Sequence, residues 1–438
     1  MSRTVAYVPA GVGTFHMESA EHVFHQTITL LKSIDSEVSV PDHILFSPEE
    51  IEDYLQDKEP FLVIFQSVTF ANGEYINRVL LHTQAPVVLW AVREPVIDGG
   101  RLRLNSLTGA FSAANSIRGN KRQQLDFMFG SPEEAFVEEK IRMAIAAAEA
   151  VEQLHRLTLF TVGQAPQGFG FGEANDIDLV RGFGVRQVHY EVRELIRAAK
   201  EYSDAQVEES LNKARTIIPA VDRVEEEKKN RFARLYRAYS DMISHADIAA
   251  VASRCWPDYF TDYETPVCAV LSLLNAEGIM SSCEADAYGA ISMFIGRVLT
   301  GNPVFFGDPV SLDERENTIT FWHCGMAACN LARVEEGPKL GVHPNRKIGP
   351  TMEFGCRPAE AVTIFRVGKN LDGTFRLFAK PGEALDKPRQ FYGTSVVVRT
   401  RDSAEQIVYQ AVDEGWEPHF AVIYGDVTKE INLLNRLL

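Results

Sequence analysis

The chain has 438 residues, 45% of them hydrophobic and 24% charged, the balance of an ordinary globular protein with room for about three domains at roughly 150 residues each. Its formal net charge of −16 argues against a protein that coats nucleic acid or docks on an anionic membrane, since both need an excess of Lys and Arg. A small substrate or a divalent cation stays open.

The first apolar run, Thr4-Val-Ala-Tyr-Val-Pro9, is too short for a secretory signal and reads as a buried strand ending at Gly11 and Gly13. Residues 18–33 carry helical periodicity in Phe24, Ile28 and Leu31. Apolar strands are expected at 60–65 and 85–90, with a helix between them at 76–81. This alternation predicts βαβ units and a mostly parallel sheet. Residues 97–125, rich in Asn, Ser, Gly and Arg, read as a long irregular segment. A helix over 132–155 leads into a second domain. That domain opens with a strand at 157–162 and a loop, Gly163-Gln-Ala-Pro-Gln-Gly-Phe-Gly-Phe-Gly172. The loop is not G-x-G-x-x-G and carries a proline and two aromatics. It reads as a substrate or packing loop, and a nicotinamide oxidoreductase is the poor alternative.

A strand at 183–190 and three charged helices follow, over 191–202, 204–217 and 222–244. A strand at 247–252, a helix at 265–275 and a strand at 278–281 then lead to Cys283-Glu-Ala-Asp-Ala-Tyr-Gly-Ala290 and its helix. Strands are expected at 303–306 and 318–322. Beyond about residue 330 the pattern becomes strands separated by Gly, Asp and Pro turns, with a hairpin signal at Asp372-Gly373. An antiparallel sheet or small barrel is predicted there, closed by a helix over 402–414, a strand at 420–424 and a terminal helix. No run approaches the ~18 apolar residues of a membrane span. Six cysteines, at 255, 268, 283, 324, 329 and 356, form no CxxC pair. They read as reduced thiols in a cytoplasmic protein, not as a zinc ribbon.

Glu284 and Asp286 stand where a strand-like run meets a helix, and carboxyl ends of strands are where open α/β sheets place their sites. Taken alone they read equally as helix-capping acids. Likewise His323 and His419 alone read as structural histidines. Together, carboxylates and a histidine suit a hard or borderline ion, Mn2+ or Mg2+ before Zn2+. Such an ion polarises a carbonyl while a carboxylate moves a proton between neighbouring carbons, the chemistry of an aldose–ketose isomerisation through an enediol.

Three stretches, Cys283–Ala290, Leu299-Thr-Gly-Asn-Pro-Val-Phe-Phe-Gly-Asp308 and Trp322-His-Cys-Gly325, resemble the core of the L-fucose/L-arabinose isomerase superfamily. Arg389-Gln-Phe-Tyr-Gly-Thr394 and Pro418-His-Phe-Ala-Val-Ile-Tyr-Gly-Asp426 are similar to its C-terminal domain. The implied fold is α/β: two Rossmann-like α/β domains with parallel sheets (1–155 and 156–325), then a C-terminal antiparallel, barrel-like domain (326–438) that contributes His419. The resemblance also implies a homo-oligomer, a trimer or hexamer, with sites between subunits and a sugar substrate.

Carried over, Asp286 matches the family's metal-binding aspartate, also used in acid–base catalysis. His419 matches its metal-binding histidine, and Glu284 an acidic neighbour counted with Asp286 as catalytic. The family's glutamate is expected some two dozen residues before the aspartate. The best local match, Tyr263-Glu-Thr-Pro-Val-Cys268, puts Cys268 at that place, whereas counting without gaps points to Asp262 or Glu264. The expected substrate is therefore a monosaccharide or modified hexose in place of fucose or arabinose. His323, Trp322 and His343 are candidate substrate contacts, and His16 is a candidate to reach a neighbouring subunit's site. The competing expectation is a non-catalytic sugar-binding or regulatory protein on a degenerate isomerase scaffold.

Overall fold

The computed structural model describes residues 4–438. The chain divides into two compact units, 1–152 with 432–437, and 153–431 with 438. The division falls inside one continuous helix, Ala135–Arg156.

The first unit is built on a four-stranded parallel sheet, β1 (Val5–Ala10), β2 (Leu62–Ser67), β3 (Val87–Ala91) and β4 (Asp126–Phe129), in the order β1-β2-β3-β4. Every residue of β1, β2 and β3 is buried, because helices cover both faces of a parallel sheet and leave no polar side. Two apolar clusters result. One gathers Tyr7, Phe24, Trp90 and Ile141, the other Phe65, Ile76, Val79 and Leu89.

The segment 97–125 departs from its irregular reading, since Ser106–Gly119 is a helix. Its buried face is made of Ser106, Gly109, Ala110, Ala113 and Ile117, so small residues outnumber large apolar ones and leave little hydrophobic periodicity to read. Small residues are required there. A Cβ on Gly109 would lie 2.8 Å from Ser67 Oγ and 3.0 Å from the Ala71 amide nitrogen.

The second unit begins with another parallel sheet, β5 (Leu157–Val162), β6 (Arg186–Tyr190), β7 (Ile248–Ser253) and the short β8 (Ser281–Ser282), in the order β6-β5-β7-β8. The chain reverses direction across the sheet between β5 and β7, and such a switch point opens a crevice at the carboxyl ends of the strands. Both neighbours of β5 pair with it in parallel.

A largely antiparallel seven-stranded sheet completes this unit. It contains β9 (Val304–Asp313) and β10 (Thr318–His323). After a small hairpin of β11 (Leu340–Gly341) and β12 (Thr351–Met352) come β13 (Phe354–Gly355), β14 (Ala359–Lys369), β15 (Phe375–Ala384), β16 (Thr394–Thr400) and β17 (Phe420–Ile423). The order β10-β9-β17-β14-β15-β16-β13 closes on itself because β10 also pairs with β16. Closure satisfies the edges that an open sheet would expose. The β14–β15 turn is at the expected Asp372-Gly373, with Gly373 at φ 86°. The architecture is thus two parallel α/β sheets followed by a closed antiparallel barrel, as the sequence pattern predicts.

Candidate active site

Three carboxyl ends of the second parallel sheet meet the barrel. The loop 163–172 leaves β5, Cys255 follows β7, and Glu284 follows β8. The barrel supplies Asp308 from β9, His323 from the end of β10, Arg366 from β14 and His419 just before β17.

The turn after β8 is unusual. Glu284 and Ala285 both hold left-handed backbone, at φ 52° and 56°, a conformation that costs non-glycine residues on the order of 1–3 kcal/mol each and clusters at functional sites. The turn separates the two acids. Asp286 becomes the N-cap of the helix Ala287–Thr300, its Oδ1 accepting from the Gly289 amide at 2.8 Å. Glu284 is instead carried to the histidines.

Asp286 is held on every side. Arg366 donates Nη1 to Oδ2 at 2.7 Å and Nη2 to Oδ1 at 3.0 Å. Neither side chain is more than 1% exposed. His419 Nδ1 lies 2.9 Å from Asp286 Oδ2. Burial alone would raise the Asp286 carboxyl, but the Arg366 charge and the His419 contact hold it well below the usual carboxylate range. An ionised carboxylate only accepts, so His419 Nδ1 carries a hydrogen and Nε2 is the atom whose lone pair can meet a cation.

That lone pair faces two more carboxylates. His419 Nε2 is 3.5 Å from Glu284 Oε2 and 3.3 Å from Asp308 Oδ1. His323 Nε2 lies 3.4 Å from the same Glu284 oxygen. His323 Nδ1 accepts from the Cys324 amide at 3.0 Å, which places a hydrogen on Nε2, facing Glu284. Glu284 Oε1 accepts from the Cys255 thiol at 3.6 Å, whereas the buried Oε2 has only the long contacts to His323 and His419. Burial would raise the Glu284 carboxyl, yet His323, His419 and the Cys255 thiol hold it near 2. Asp308 goes the other way: burial raises it against the pull of the two histidines.

The buried carboxylate of Glu284 and the half-buried one of Asp308, with only long contacts of 3.3–3.5 Å to histidine nitrogens, are costly unless a cation meets them. Glu284, His323 and His419 lie with their ligand-type atoms within 4.8 Å of one another; the His323 hydrogen occupies its Nε2, so the free lone pairs are those of Glu284 and His419, and Asp308 Oδ1 joins at His419. The residues present therefore fit a divalent ion.

The remaining expected residues fall into three groups. Cys268, 1% exposed, opens the helix Cys268–Ala276 and belongs with Cys255, Cys283 and Cys324 to the thiols around Glu284. Burial raises its thiol. His323 stacks near-parallel with Trp322, whose Nε1 donates to the Tyr392 carbonyl at 2.6 Å. His343 packs edge-on against Phe260, and burial lowers it to about 4, so it is neutral. Glu264 and Asp262 are ion-paired in more exposed positions, with Arg231 at 2.7 Å and Arg193 at 3.5 Å. In the first unit, His16 caps the helix Met17–Ile34 by accepting from the Ser19 amide.

The glycine-rich loop packs on the cluster. Phe171 meets the His419 ring at 5.2 Å, and a Cβ on Gly172 would come within 2.7 Å of Asp286. Two residues were not singled out from the sequence. Asp308 ends the stretch Leu299–Asp308, and it follows Glu284 by roughly two dozen residues, the glutamate–aspartate spacing the resemblance implies. Arg366 sits inside the apolar strand 361–367, where a lone charge signals a buried partner.

No family model matches the chain. Full-length relatives do match. A protein of Clostridium sp. strain MSTE9 is 52% identical over 434 residues, covering 99% of this chain and 97% of the relative. Proteins of Priestia megaterium and Alkalicoccus urumqiensis are 39% and 37% identical, again over 99% of this chain and 97% of each relative. All three are sulfoquinovose isomerases. The fold, the cluster and these relatives define an aldose–ketose isomerase, an intramolecular oxidoreductase. The chain belongs to the sulfoquinovose isomerase family.

Proposed function

We propose that the protein interconverts sulfoquinovose, a hexose bearing a sulfonate at C6, with its 2-ketose, and that it needs a divalent ion, Mn2+ or Mg2+, to do so. The observation that carries this is the convergence of Glu284, Asp308 and His419 in one largely buried cluster, with His419 Nε2 3.5 Å and 3.3 Å from the two carboxylates. These three residues hold the ion. When bound, it polarises the sugar carbonyl and the neighbouring hydroxyl.

The chain's own groups do the rest. Asp286, pinned by Arg366, fixes the His419 tautomer and is a positioning residue. His323 presents Nε2–H beside Glu284 and donates to a sugar oxygen. The carboxylates of Glu284 and Asp308 flank His419 Nε2 and act as the acid–base pair. A proton leaves C2 and one is delivered to C1, while the hydroxyl hydrogen passes from O2 to O1. Phe171 and Trp322 offer flat apolar faces to the sugar C–H edges.

The motifs at 283–290, 299–308, 322–325 and 418–426 support placing this family within the L-fucose/L-arabinose isomerase superfamily. By the same likeness the protein works as a cytoplasmic trimer or hexamer, with His16 reaching a neighbour's site. The test is to incubate purified protein with sulfoquinovose and Mn2+ and follow ketose formation, with metal content measured in parallel. The expected result is turnover with about one ion per chain, lost in Glu284→Gln. Absence of both turnover and bound metal overturns the reading.

A further inference from the structure

A sulfonate is a permanent anion, and a chain of net charge −16 repels it unless a local cation receives it. The cluster itself offers none, because both Nη atoms of the buried Arg366 donate to Asp286. The loop after β11 does. The Arg346 guanidinium lies over the Trp256 ring at 5.3 Å and the Phe260 ring at 5.7 Å. Among the described residues it is the one cation seated over two aromatic rings, and it has neither an ion-pair nor a hydrogen-bond partner for its guanidinium. Most other arginines near the site are already paired, such as Arg254 with Asp258 and Arg389 with Glu353.

Its seat is joined to the site in two ways. Trp256 follows Cys255, whose thiol donates to Glu284. The aromatic wall runs from His419 to Phe171, Phe169 and Trp256 with successive ring separations of 5.2, 5.7 and 6.0 Å. His343, which packs on the same Phe260, feels the charges of His323 and Glu284. His343 Nδ1 accepts from the Asn345 and Arg346 amides at 3.3 Å each. That leaves its Nε2–H as a neutral donor on the same loop.

We propose that Arg346 is the residue that reads the substrate's sulfonate, with His343 as a second donor, while the reacting C1–C2 end meets the carboxylate–histidine cluster. The proposal rests on the isomerase reading above. Stacking on two rings orients the planar guanidinium while leaving its N–H fork free for an oxyanion.

Arg346→Met and Arg346→Lys are compared with the wild type by kinetics on sulfoquinovose and on glucose, and by calorimetric titration with sulfoquinovose. Arg346 is exposed, so both variants are expected to fold, and thermal unfolding checks this. Removing a charge-assisted contact should raise the sulfoquinovose KM and Kd by about 10- to 100-fold in Arg346→Met. Arg346→Lys should recover part of that loss, and the preference for sulfoquinovose over glucose should collapse. An unchanged Kd and an unchanged preference in Arg346→Met overturn the proposal. If the wild type binds sulfoquinovose through Arg346 but does not convert it, the sulfonate site stands and the isomerase reading fails.

Discussion

Arg366 and Asp286 are both withdrawn from water, with exposures of 0% and 1%, and separating them leaves one buried charge with no counterpart. Arg366→Met is therefore expected to destabilise the fold by about 3–5 kcal/mol, measured by urea unfolding. A loss under about 1 kcal/mol would show that the pair is solvated or that Asp286 releases its charge. Asp286→Asn keeps a good helix cap but no longer holds His419 with an anion. Metal affinity should fall about 10- to 100-fold, read by ion titration, because the residue acts through the ligand it orients. His343 gives the pH dependence. Burial lowers it from 6.5 to about 4, so the unfolded chain takes up a proton that the folded one excludes. Its contribution to stability is complete above about pH 6.5 and is lost as pH falls towards 4, by at most about 3 kcal/mol. Unfolding free energies of His343→Asn measured from pH 7 to 4 should show a shallower slope than the wild type.

The loop 163–172 shows how an element serves the site without supplying a ligand. A Cβ on Gly172 would meet Asp286 backbone and side chain at 2.7–2.8 Å. Gly172→Ala should push the loop off the cluster and cut kcat/KM by about 10- to 100-fold, the cost of a misplacement near 1 Å, while thermal stability changes little. The elements themselves were largely legible. β1, β2, β3 and β5 are short apolar runs between turns, and the Asp372-Gly373 hairpin is where its turn chemistry puts it. The helix Ser106–Gly119 was not legible, because close packing against Ser67 and Ala71 demands small residues and erases the hydrophobic stripe. Site residues were legible by type and less so by partner. Glu284, His323 and His419 stood out, but the left-handed turn that parts Glu284 from Asp286 has no sequence signal. Asp286 therefore drew the weight that the proposed mechanism divides between Glu284 and Asp308.

At the scale of the whole molecule, the chain ends by returning to where it began. Leu433 enters the core cluster of the first unit, and Arg436 donates to the Leu125 carbonyl at 3.1 Å. Leu433→Ala should cost about 2–4 kcal/mol. Hydrogen exchange should report the loss in β1 and β2 while β14 and β15 keep their protection. The second unit contains the whole of the described cluster, so the central claim is decided there. The direct measurement is deuterium incorporation from D2O at C2 of sulfoquinovose, by protein stripped with a chelator and by the same protein after Mn2+ is restored. The account predicts exchange only with the ion present, and none in Glu284→Gln under either condition. Undiminished exchange by the stripped protein, or by Glu284→Gln, would contradict it.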